Sequence, residues 1–415
     1  MNVHDSEKML GILGNNGYVA AGKPEDADVI IFNTCAIREK AEQKFFSQLG
    51  RTKQLKKKNH NLTIAVAGCV AQSEQETVRK RAPHVDVMLG PQNIGRISDM
   101  VSGQASNGSF DENHELAYEE LFVTRSSRIK AWISIMYGCN NFCSYCIVPY
   151  TRGREVSRPS SSIVSEVLRL RGQGYREITL LGQNVNSYKS DCDFTELLRL
   201  IDKTEIERMR FVTSHPRDLS LELIRTMQEL PSVCEHVHLP LQAGSDNILR
   251  MMNRGYTYGE YQKKVDMLRE AVPDIAITTD IITGFPGETR QDFEQTVYAL
   301  NGIEYDGIFA FKYSPRKGTT AFDMENTVPD EEKSERLNRV LQIQEEITYK
   351  KNRKLEGTTQ EVLIEGSSDT DTALLSGRTR TNKIVTLPDS GDEIGSFVSV
   401  LISKARRHSL SGEKC

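Results

Sequence analysis

Three cysteines sit in one short stretch, Gly138-Cys139-Asn-Asn-Phe-Cys143-Ser-Tyr145-Cys146, with three and then two residues between them. Thiolates this close together can converge on one metal centre, whereas disulfides are rare in a cytosolic enzyme and an odd number of thiols cannot all pair. Closed structural zinc sites and ordinary cubane iron–sulfur clusters are usually held by four protein ligands. Three ligands leave one position open, and an open iron can bind a substrate. The alternative is a zinc site completed by a distant His or Cys. Two further cysteines, Cys35 and Cys69, stand in the turns Asn33-Thr-Cys35 and Gly68-Cys69, each directly after a short apolar run.

The elements that must hold these turns can be read from periodicity. Apolar runs at 28–32 and 62–67 feed helical patterns at 36–55 and 73–81, the alternation of a parallel α/β sheet. Phe45, Phe46 and Leu49 share one face of the first of these helices. Open α/β sheets place ligands at the carboxyl edge of their strands, which brings Cys35 and Cys69 near enough to share a centre. A buried core thiol is the alternative for either one alone. Before these units, a short amphipathic helix capped by Asp5 or Ser6 is expected to run to Leu13, with no strand ahead of it.

A polar stretch at 107–115 reads as a linker, and from about residue 126 a second alternation begins. Strands are expected at 129–136, 176–181, 208–213, 235–240, 275–282 and 306–313, and helices at 160–173, 194–203, 218–229, 258–271, 289–301 and 331–352. Six βα units make a partial barrel, in which chemistry sits on the loops after the strands. Those loops read GCNNFCSYC, Gly182-Gln183-Asn184, Thr213-Ser-His-Pro216, Leu239-Pro-Leu-Gln-Ala-Gly244, Gly284-Phe-Pro-Gly287-Glu288 and Tyr313-Ser-Pro-Arg-Lys317. His215 and His238 read as hydrogen-bonded structural histidines. Beyond Gly357 the period changes to two, with strands expected at 359–365, 373–379, 383–387 and 396–403 in a small β-barrel. The expected organisation is a doubly wound α/β domain at 1–125, a partial (β/α)6 barrel at 126–352 and a β-barrel at 353–415.

Composition sets outer bounds. The chain has 415 residues, 38% hydrophobic and 27% charged, and no apolar run approaches the roughly 18 needed to cross a membrane. No secretory pattern opens it, so a cytoplasmic monomer without membrane attachment is expected. Of eight cysteines, Cys192, Cys234 and Cys415 lie outside the turns described and read as structural thiols. The net charge of −4 does not advertise nucleic acid, yet basic runs at 51–58, 378–383 and 404–407 can form a stripe on a neutral body.

The opening MNVHDSE, the turns NTCAIREKAEQK and AGCVAQ, and the stretch CNNFCSYCIVPYTRGREVSRP together resemble the radical S-adenosylmethionine (SAM) methylthiotransferases, over essentially the whole chain. Within that family the MiaB-type tRNA-modifying branch is the nearest. The resemblance implies that Cys139, Cys143 and Cys146 hold a 4Fe-4S cluster whose unique iron chelates SAM. It places Tyr145 beside the adenine, Gly182, Gln183 and Asn184 near the methionyl amino group, and the segment from Ile282 to Glu288, with Gly284 and Glu288, against the adenine. It also assigns Cys35 and Cys69 to an auxiliary 4Fe-4S cluster. In the family the first auxiliary cysteine lies in a Gly-Cys-Gln turn immediately before the Met-Asn-Val that here is Met1-Asn2-Val3. The chain is therefore expected to offer two of three auxiliary ligands, to lack the sheet's interior first strand, and to assemble that cluster poorly. The C-terminal module resembles the TRAM domain, an RNA-binding appendage, with Arg378, Arg380 and Lys383 as phosphate contacts.

The activity so implied is addition of a methylthio group to C2 of N6-isopentenyladenosine 3′ to the anticodon. That carbon has neither an acidic proton nor a leaving group, so a radical is the natural reagent. The implied partners are the tRNA anticodon stem-loop, a reductant such as flavodoxin or ferredoxin, and a sulfur donor. Rival readings are methylthiolation of threonylcarbamoyl-adenosine in tRNA or of a ribosomal-protein aspartate, and an RNA-binding protein without transferase activity.

Overall fold

The computed structural model describes residues 1–34, 39–111 and 122–415, and these form two compact units. The first comprises Met1–Ser126, Met136–Arg158 and Arg316–Thr319; the second comprises Ser127–Ile135, Pro159–Pro315 and Thr320–Cys415. The three-cysteine loop thus belongs to the same unit as the N-terminal sheet. The run expected as one strand at 129–136 divides at this boundary. Lys130–Ser134 pairs in parallel with Glu177–Leu181, whereas Met136–Tyr137 pairs antiparallel with Val156–Ser157.

The first unit is built on a four-stranded parallel sheet in the order Val29–Thr34, Thr63–Gly68, Val87–Leu89, Gly108–Ser109. Alternate residues of the second strand serve opposite faces. Ile64 and Val66 pack with Phe45, Phe46, Leu49 and Val70, while Ala65 and Ala67 pack with Met9, Ile12, Leu13 and Leu89. A strand covered on both sides must be apolar at every position, which is why its run is continuous. Val87–Leu89 and Gly108–Ser109 were not expected, and the latter lies in the stretch read as linker. Strands of three and two residues are too short to show a period.

The opening helix, Asn2–Asn15, begins earlier than expected, with Met1 at its N-cap and no side-chain cap. Neither Asp5 nor Ser6 caps it. The Asp5 carboxylate is buried against Arg152, and Ser6 Oγ accepts from Asn33 Nδ2 at 2.9 Å.

In the second unit the six expected parallel strands are present, as Lys130–Ser134, Glu177–Leu181, Arg208–Phe211, His236–His238, Ala276–Thr283 and Gly307–Lys312. They form two three-stranded ladders joined by a bridge between Met209 and Val233. Helices follow the strands, and several begin at side-chain caps. Thr257 with Glu260 and Thr289 with Asp292 form reciprocal capping boxes that fix where two of the loops end. The C-terminal barrel is closed by Thr359–Ser367, Leu374–Thr379, Ile384–Pro388, Leu410–Lys414 and Phe397–Ala405, in that order. Its strand Leu410–Lys414 was missed because Gly412 stands where an inward apolar residue would be expected. A Cβ there would lie 2.4 Å from the Leu401 carbonyl oxygen.

At the amino ends of the barrel strands two buried arginines reach the C-terminal barrel. Arg208 donates to the carbonyl of Arg378 at 2.8 Å, and Arg210 donates to those of Thr379 and Arg380 at 2.8 and 2.7 Å. His236 is buried beside them, and its Nδ1 has no hydrogen-bond partner among the described residues. Burial, reinforced by the charge of Arg210, pushes its pKa down to about 3 from 6.5.

The unfolded chain therefore binds a proton that the folded chain refuses between these values. This histidine's stability contribution is complete above pH 6.5 and is lost as pH falls toward 3. In urea unfolding at pH 7 and pH 5, the native chain should lose about 2 kcal/mol more than His236→Gln between the two, at about 1.4 kcal/mol per pH unit per proton. Equal losses would show that His236 is not buried neutral.

Candidate cluster and cofactor site

The cysteine loop is shaped by its first residue. Gly138 has φ +71°, and a Cβ there would stand 2.0 Å from the Arg154 carbonyl oxygen, so only glycine lets the loop's entry lie against 153–154. The Cys139 N–H donates to Gly153 O at 3.2 Å, and the Cys146 N–H to Cys143 O at 2.9 Å. The Asn141 N–H points at Cys139 Sγ at 3.5 Å. Phe142 turns the chain in a left-handed conformation, φ +46°, with the Arg154 guanidinium 4.4 Å from its ring centre. Cys139 and Cys143 are buried, whereas Tyr145 and Cys146 are half-buried. Burial raises the Cys139 thiol above its ordinary pKa, the Asn141 N–H opposing and nearby Cys143 adding. A bound iron centre would invert that balance by taking thiolates.

Among the described residues, no three His, Cys, Asp or Glu side chains gather as ligands of a single ion. A cubane binds each cysteine through a different iron, so its thiols stand further apart than the ligands of one tetrahedral zinc. The loop's donor set, two buried thiols and one half-buried thiol on a glycine-locked base, is of the kind that could hold a cluster through three of its irons.

Cys69 is buried at the start of the short helix Cys69–Ser73. It follows Gly68, whose φ is +92° and whose Cβ would lie 2.6 Å from the Thr34 carbonyl oxygen. Thr34 and Gly68 are paired in register, and Cys35 lies outside the described residues. Cys69 and Val70 share a core with Ile147, the residue after Cys146, and helix Cys69–Ser73 packs on helix Val148–Thr151. The arm descending from the three-cysteine loop is therefore built directly on the Cys69 turn.

That arm carries Arg152, 3% exposed, whose Nη2 donates to Asp5 Oδ2 at 2.8 Å and to Asn2 Oδ1 at 3.2 Å. Gln92 Nε2 holds its carbonyl oxygen at 3.0 Å. Burial opposes the guanidinium charge, but Asp5 and the Cys69 sulfur outweigh it and raise the Arg152 pKa above the ordinary arginine value. Burial likewise works against the Asp5 carboxylate, and Arg152 holds that pKa below the usual range. Sequence reading missed both residues. They are 147 positions apart, and nothing local marks them as partners.

In the second unit the loops at the carboxyl ends of the strands carry buried polar atoms with no hydrogen-bond partner among the described residues: Asn184 Oδ1, Ser214 Oγ and His215 Nε2. Asn184 Nδ2 is fixed on Asp218 at 2.7 Å, leaving its oxygen as the kind of acceptor a ligand ammonium would satisfy. Gly182 is buried beside it and Gln183 half-buried. Burial, with Arg254 and Arg217 adding, pushes His215 down to about 2, so its ring is neutral. Its Nδ1 accepts from the Arg217 N–H at 3.2 Å, which leaves the proton on Nε2. Thr213 and Gln242 take positive φ, +70° and +76°, conformations that sequence reading had no means to foresee. His238 is held by Thr278 at 3.0 Å and Asp280 at 3.4 Å, as a structural histidine should be.

The Glu288 Oε2 accepts from the Gly284 N–H at 2.7 Å and is paired with buried Arg336, and burial raises the carboxyl's pKa. It pins the turn from Gly284, φ +70°, to Gly287, φ +78°.

The three cations expected on phosphate are engaged within the second unit. Arg380 grips Glu235 with two nitrogens at 2.8 Å and donates to the carbonyls of Pro231 and Val233. Lys383 reaches Asp306 at 3.1 Å and Asn352 at 3.0 Å. Arg378 bonds Asn382 at 3.2 Å and approaches Glu365 at 3.5 Å. The ribbon docks the C-terminal barrel on the amino ends of the strands, the side opposite the loops where chemistry is expected. Side chains more open to solvent are Arg51, Lys53, Lys57 and Lys58 on helix Glu39–Lys58, and Lys404 and Arg406 on the C-terminal barrel.

Gly138→Ala should strain the loop base by about 1–3 kcal/mol and move Cys139 off Gly153. After anaerobic reconstitution the expected result is loss of most of the iron held by this loop, with thermal unfolding only modestly lowered. Full iron content would show that the close approach to Arg154 is not required.

Three family models match the chain: the Radical SAM superfamily over residues 133–299, Uncharacterized protein family UPF0004 over 1–90 and the TRAM domain over 353–415. The tRNA-2-methylthio-N(6)-dimethylallyladenosine synthase of Thermodesulfovibrio yellowstonii is 54% identical over 100% of this chain and 96% of its own length. Proteins of the same name from Caldicellulosiruptor saccharolyticus and Clostridium botulinum are 48% and 46% identical, each across the whole of this chain and 90% and 94% of their own lengths. Among solved structures, the radical S-adenosylmethionine methyltransferase TsrM from Kitasatospora setae matches 86% of this chain and 77% of its own, with a TM-score of 0.57 at 14% identity. The cobalamin-dependent S-adenosylmethionine radical enzyme OxsB matches 82% of this chain and 53% of its own, with a TM-score of 0.51 at 11% identity. Those two likenesses are of fold. The identity to the synthases spans the whole chain, and by it the chain belongs to the tRNA-2-methylthio-N(6)-dimethylallyladenosine synthase family of radical SAM proteins.

Proposed function

We propose that this chain is a radical-SAM tRNA methylthiotransferase that places a methylthio group on C2 of N6-isopentenyladenosine next to the anticodon. The observation that carries the reading is the full-length match to synthases of that name, 54% in the first case, on a chain with two cysteine turns in one compact unit. When bound, a 4Fe-4S cluster with SAM supplies the one-electron chemistry needed to break an unactivated C–H bond, which no side chain here could do.

The protein's own contribution is positional. Cys139, Cys143 and Cys146 would hold the SAM-cleaving cluster, with Tyr145 beside them, and Cys69 with Cys35 would serve the auxiliary one. Asn184 Oδ1 and His215 Nε2 are a buried acceptor and a buried donor available to a polar ligand, and the Gly182–Asn184 turn presents the first of them. Glu288 shapes its loop through Gly284. The acceptor is a tRNA anticodon loop, whose bases can be splayed into a pocket, and a reductant of the flavodoxin or ferredoxin kind and a sulfur donor complete the set.

Cys143→Ala should abolish 5′-deoxyadenosine formation after dithionite reduction, because two thiolates cannot hold a cubane with one iron exposed. Undiminished product would remove the loop from the chemistry. The substrate assignment is tested by mass spectrometry of tRNA from a strain lacking the gene. Loss of the methylthio group from N6-isopentenyladenosine supports it, whereas loss from threonylcarbamoyl-adenosine or from a ribosomal protein would replace it.

Phosphate contact is expected from solvent-facing cations rather than docked ones. Lys404→Ala with Arg406→Ala should lower the salt dependence of tRNA binding by about one unit of slope for each phosphate no longer neutralised. Arg380→Ala should instead lower the melting temperature and leave the slope unchanged. A reversed pattern would return the RNA contact to the Arg378–Lys383 ribbon.

A further inference from the structure

A closed β/α barrel fills its interior with layers of side chains, so inward positions are buried. The six-stranded sheet of the second unit does otherwise. Along Ala276–Thr283 the residues Ile277, Thr279, Ile281 and Thr283 are fully buried, and Thr283 Oγ1 donates to the Lys333 carbonyl at 3.4 Å, which marks that face as the one beneath the helices. The alternate residues Thr278, Asp280 and Ile282 face the interior and are only half-buried. In register with them on the neighbouring strands stand His238, beside Thr278, and Phe309, beside Asp280. Phe309 is 54% exposed, on a face that a filled barrel would bury. Its strand, Gly307–Lys312, is an edge, paired only with Ala276–Thr283 among the described residues. The interior is therefore open on this side.

The polar part of the cluster is held in place. His238 Nδ1 is 3.0 Å from Thr278 Oγ1 and Nε2 is 3.4 Å from Asp280 Oδ2, with the ring 5.8 Å from that of Phe309. The imidazole steadies one carboxylate oxygen, yet the Asp280 side chain stays 30% exposed and no lysine or arginine pairs with it among the described residues. At the amino ends the interior is shut by Arg208 and Arg210 on carbonyls of the C-terminal barrel and by Lys130 on Glu365 at 2.7 Å. A carboxylate without a cation, beside an exposed aromatic ring, is suited to a flat ligand that carries an N–H.

We propose that Asp280 and Phe309 seat the acceptor base: the Asp280 carboxylate accepts the N6–H of the N6-alkylated adenine, and Phe309 lies against the plane of the base. This rests on the reading of the acceptor as N6-isopentenyladenosine and names the groups that recognise it. Alkylation leaves one N–H on that nitrogen, and an ionised carboxylate can only accept. C2 offers no hydrogen-bonding group, so the base has to be oriented through its other edges. His238 is the positioning residue, fixing which way the carboxylate faces.

The test compares two synthetic anticodon stem-loops, one with N6-isopentenyladenosine and one with its ether analogue, in which oxygen replaces the N6–H. The reconstituted full chain should bind the ether about ten- to a hundred-fold more weakly, because the carboxylate then faces an oxygen. Asp280→Ala should bind both alike, at the weaker level. Asp280→Asn, whose amide can donate as well as accept, should narrow the preference, and Phe309→Leu should weaken both loops by the same factor. If the native chain does not prefer the isopentenylated loop to one with plain adenosine, the reading of the acceptor fails and this inference with it. If that preference holds but the ether binds as well as the amine, or Asp280→Ala keeps the full preference for the amine, the inference alone is overturned. A KM for SAM that rises in Asp280→Ala as steeply as the Kd for the loop assigns Asp280 to the cofactor and also overturns it. Should Asp280→Ala not fold, an undiminished preference in Asp280→Asn decides against the contact.

Discussion

The first unit is organised around the buried ion pair of Asp5 and Arg152. Asp5 and Arg152 have side chains 1% and 3% exposed, and removing either partner of such a pair typically costs about 3–5 kcal/mol because the other charge is stranded. The pair obliges three things to be settled together: the opening helix, the Cys69 turn against which the guanidinium lies, and the arm that supports the three-cysteine loop. Nothing in this arrangement can slide. The glycines at 68 and 138 allow backbone approaches that a methyl group would block, so the cysteine turns inherit a fixed scaffold rather than a flexible one.

What could be read from the sequence was what is local. A cysteine triplet, apolar runs ending in glycine, and the switch from helical to alternating period each announce themselves within a dozen residues, and from them the two α/β regions and the terminal barrel follow. What it left out shares a cause. Asp5 looked like a helix cap because its partner is far along the chain. The pairing of Glu288 with Arg336, 48 residues later, cannot be foreseen. Nor can the engagement of Arg378, Arg380 and Lys383 by backbone carbonyls and distant carboxylates, because such charges look free on paper. The strands Val87–Leu89, Gly108–Ser109 and Leu410–Lys414 were too short, or too poor in inward apolar residues, to carry a period.

The barrel's two ends divide their labour. At the carboxyl ends, Asn184, Ser214 and His215 keep polar atoms without partners among the described residues, and Thr213 and Gln242 hold conformations that cost energy, a pattern expected where a ligand rather than the chain completes the bonding. At the amino ends the chain supplies more of the bonding: Arg208 and Arg210 donate to carbonyls and Asp306 is shared by Lys351 and Lys383, although Arg208 Nε and His236 Nδ1 have no hydrogen-bond partner among the described residues. Stability is concentrated on one side and receptivity on the other, so substitutions at the docked end can change the fold's strength with little direct bearing on the chemistry.

That docking also has a consequence for biosynthesis. The acceptor for Arg208 is the carbonyl of Arg378, 170 residues further on, and Arg210 waits equally long for Arg380. During translation both guanidinium groups emerge on the amino ends of the barrel strands while the carbonyls that will receive them are still unmade. At roughly 5–20 residues per second those carbonyls follow the two arginines by about ten to thirty seconds, during which the rest of the barrel is still being made. A chain interrupted before the last module would leave the ribosome with that end uncapped, and the cell's chaperones and proteases would meet it as a folding intermediate rather than as a smaller enzyme.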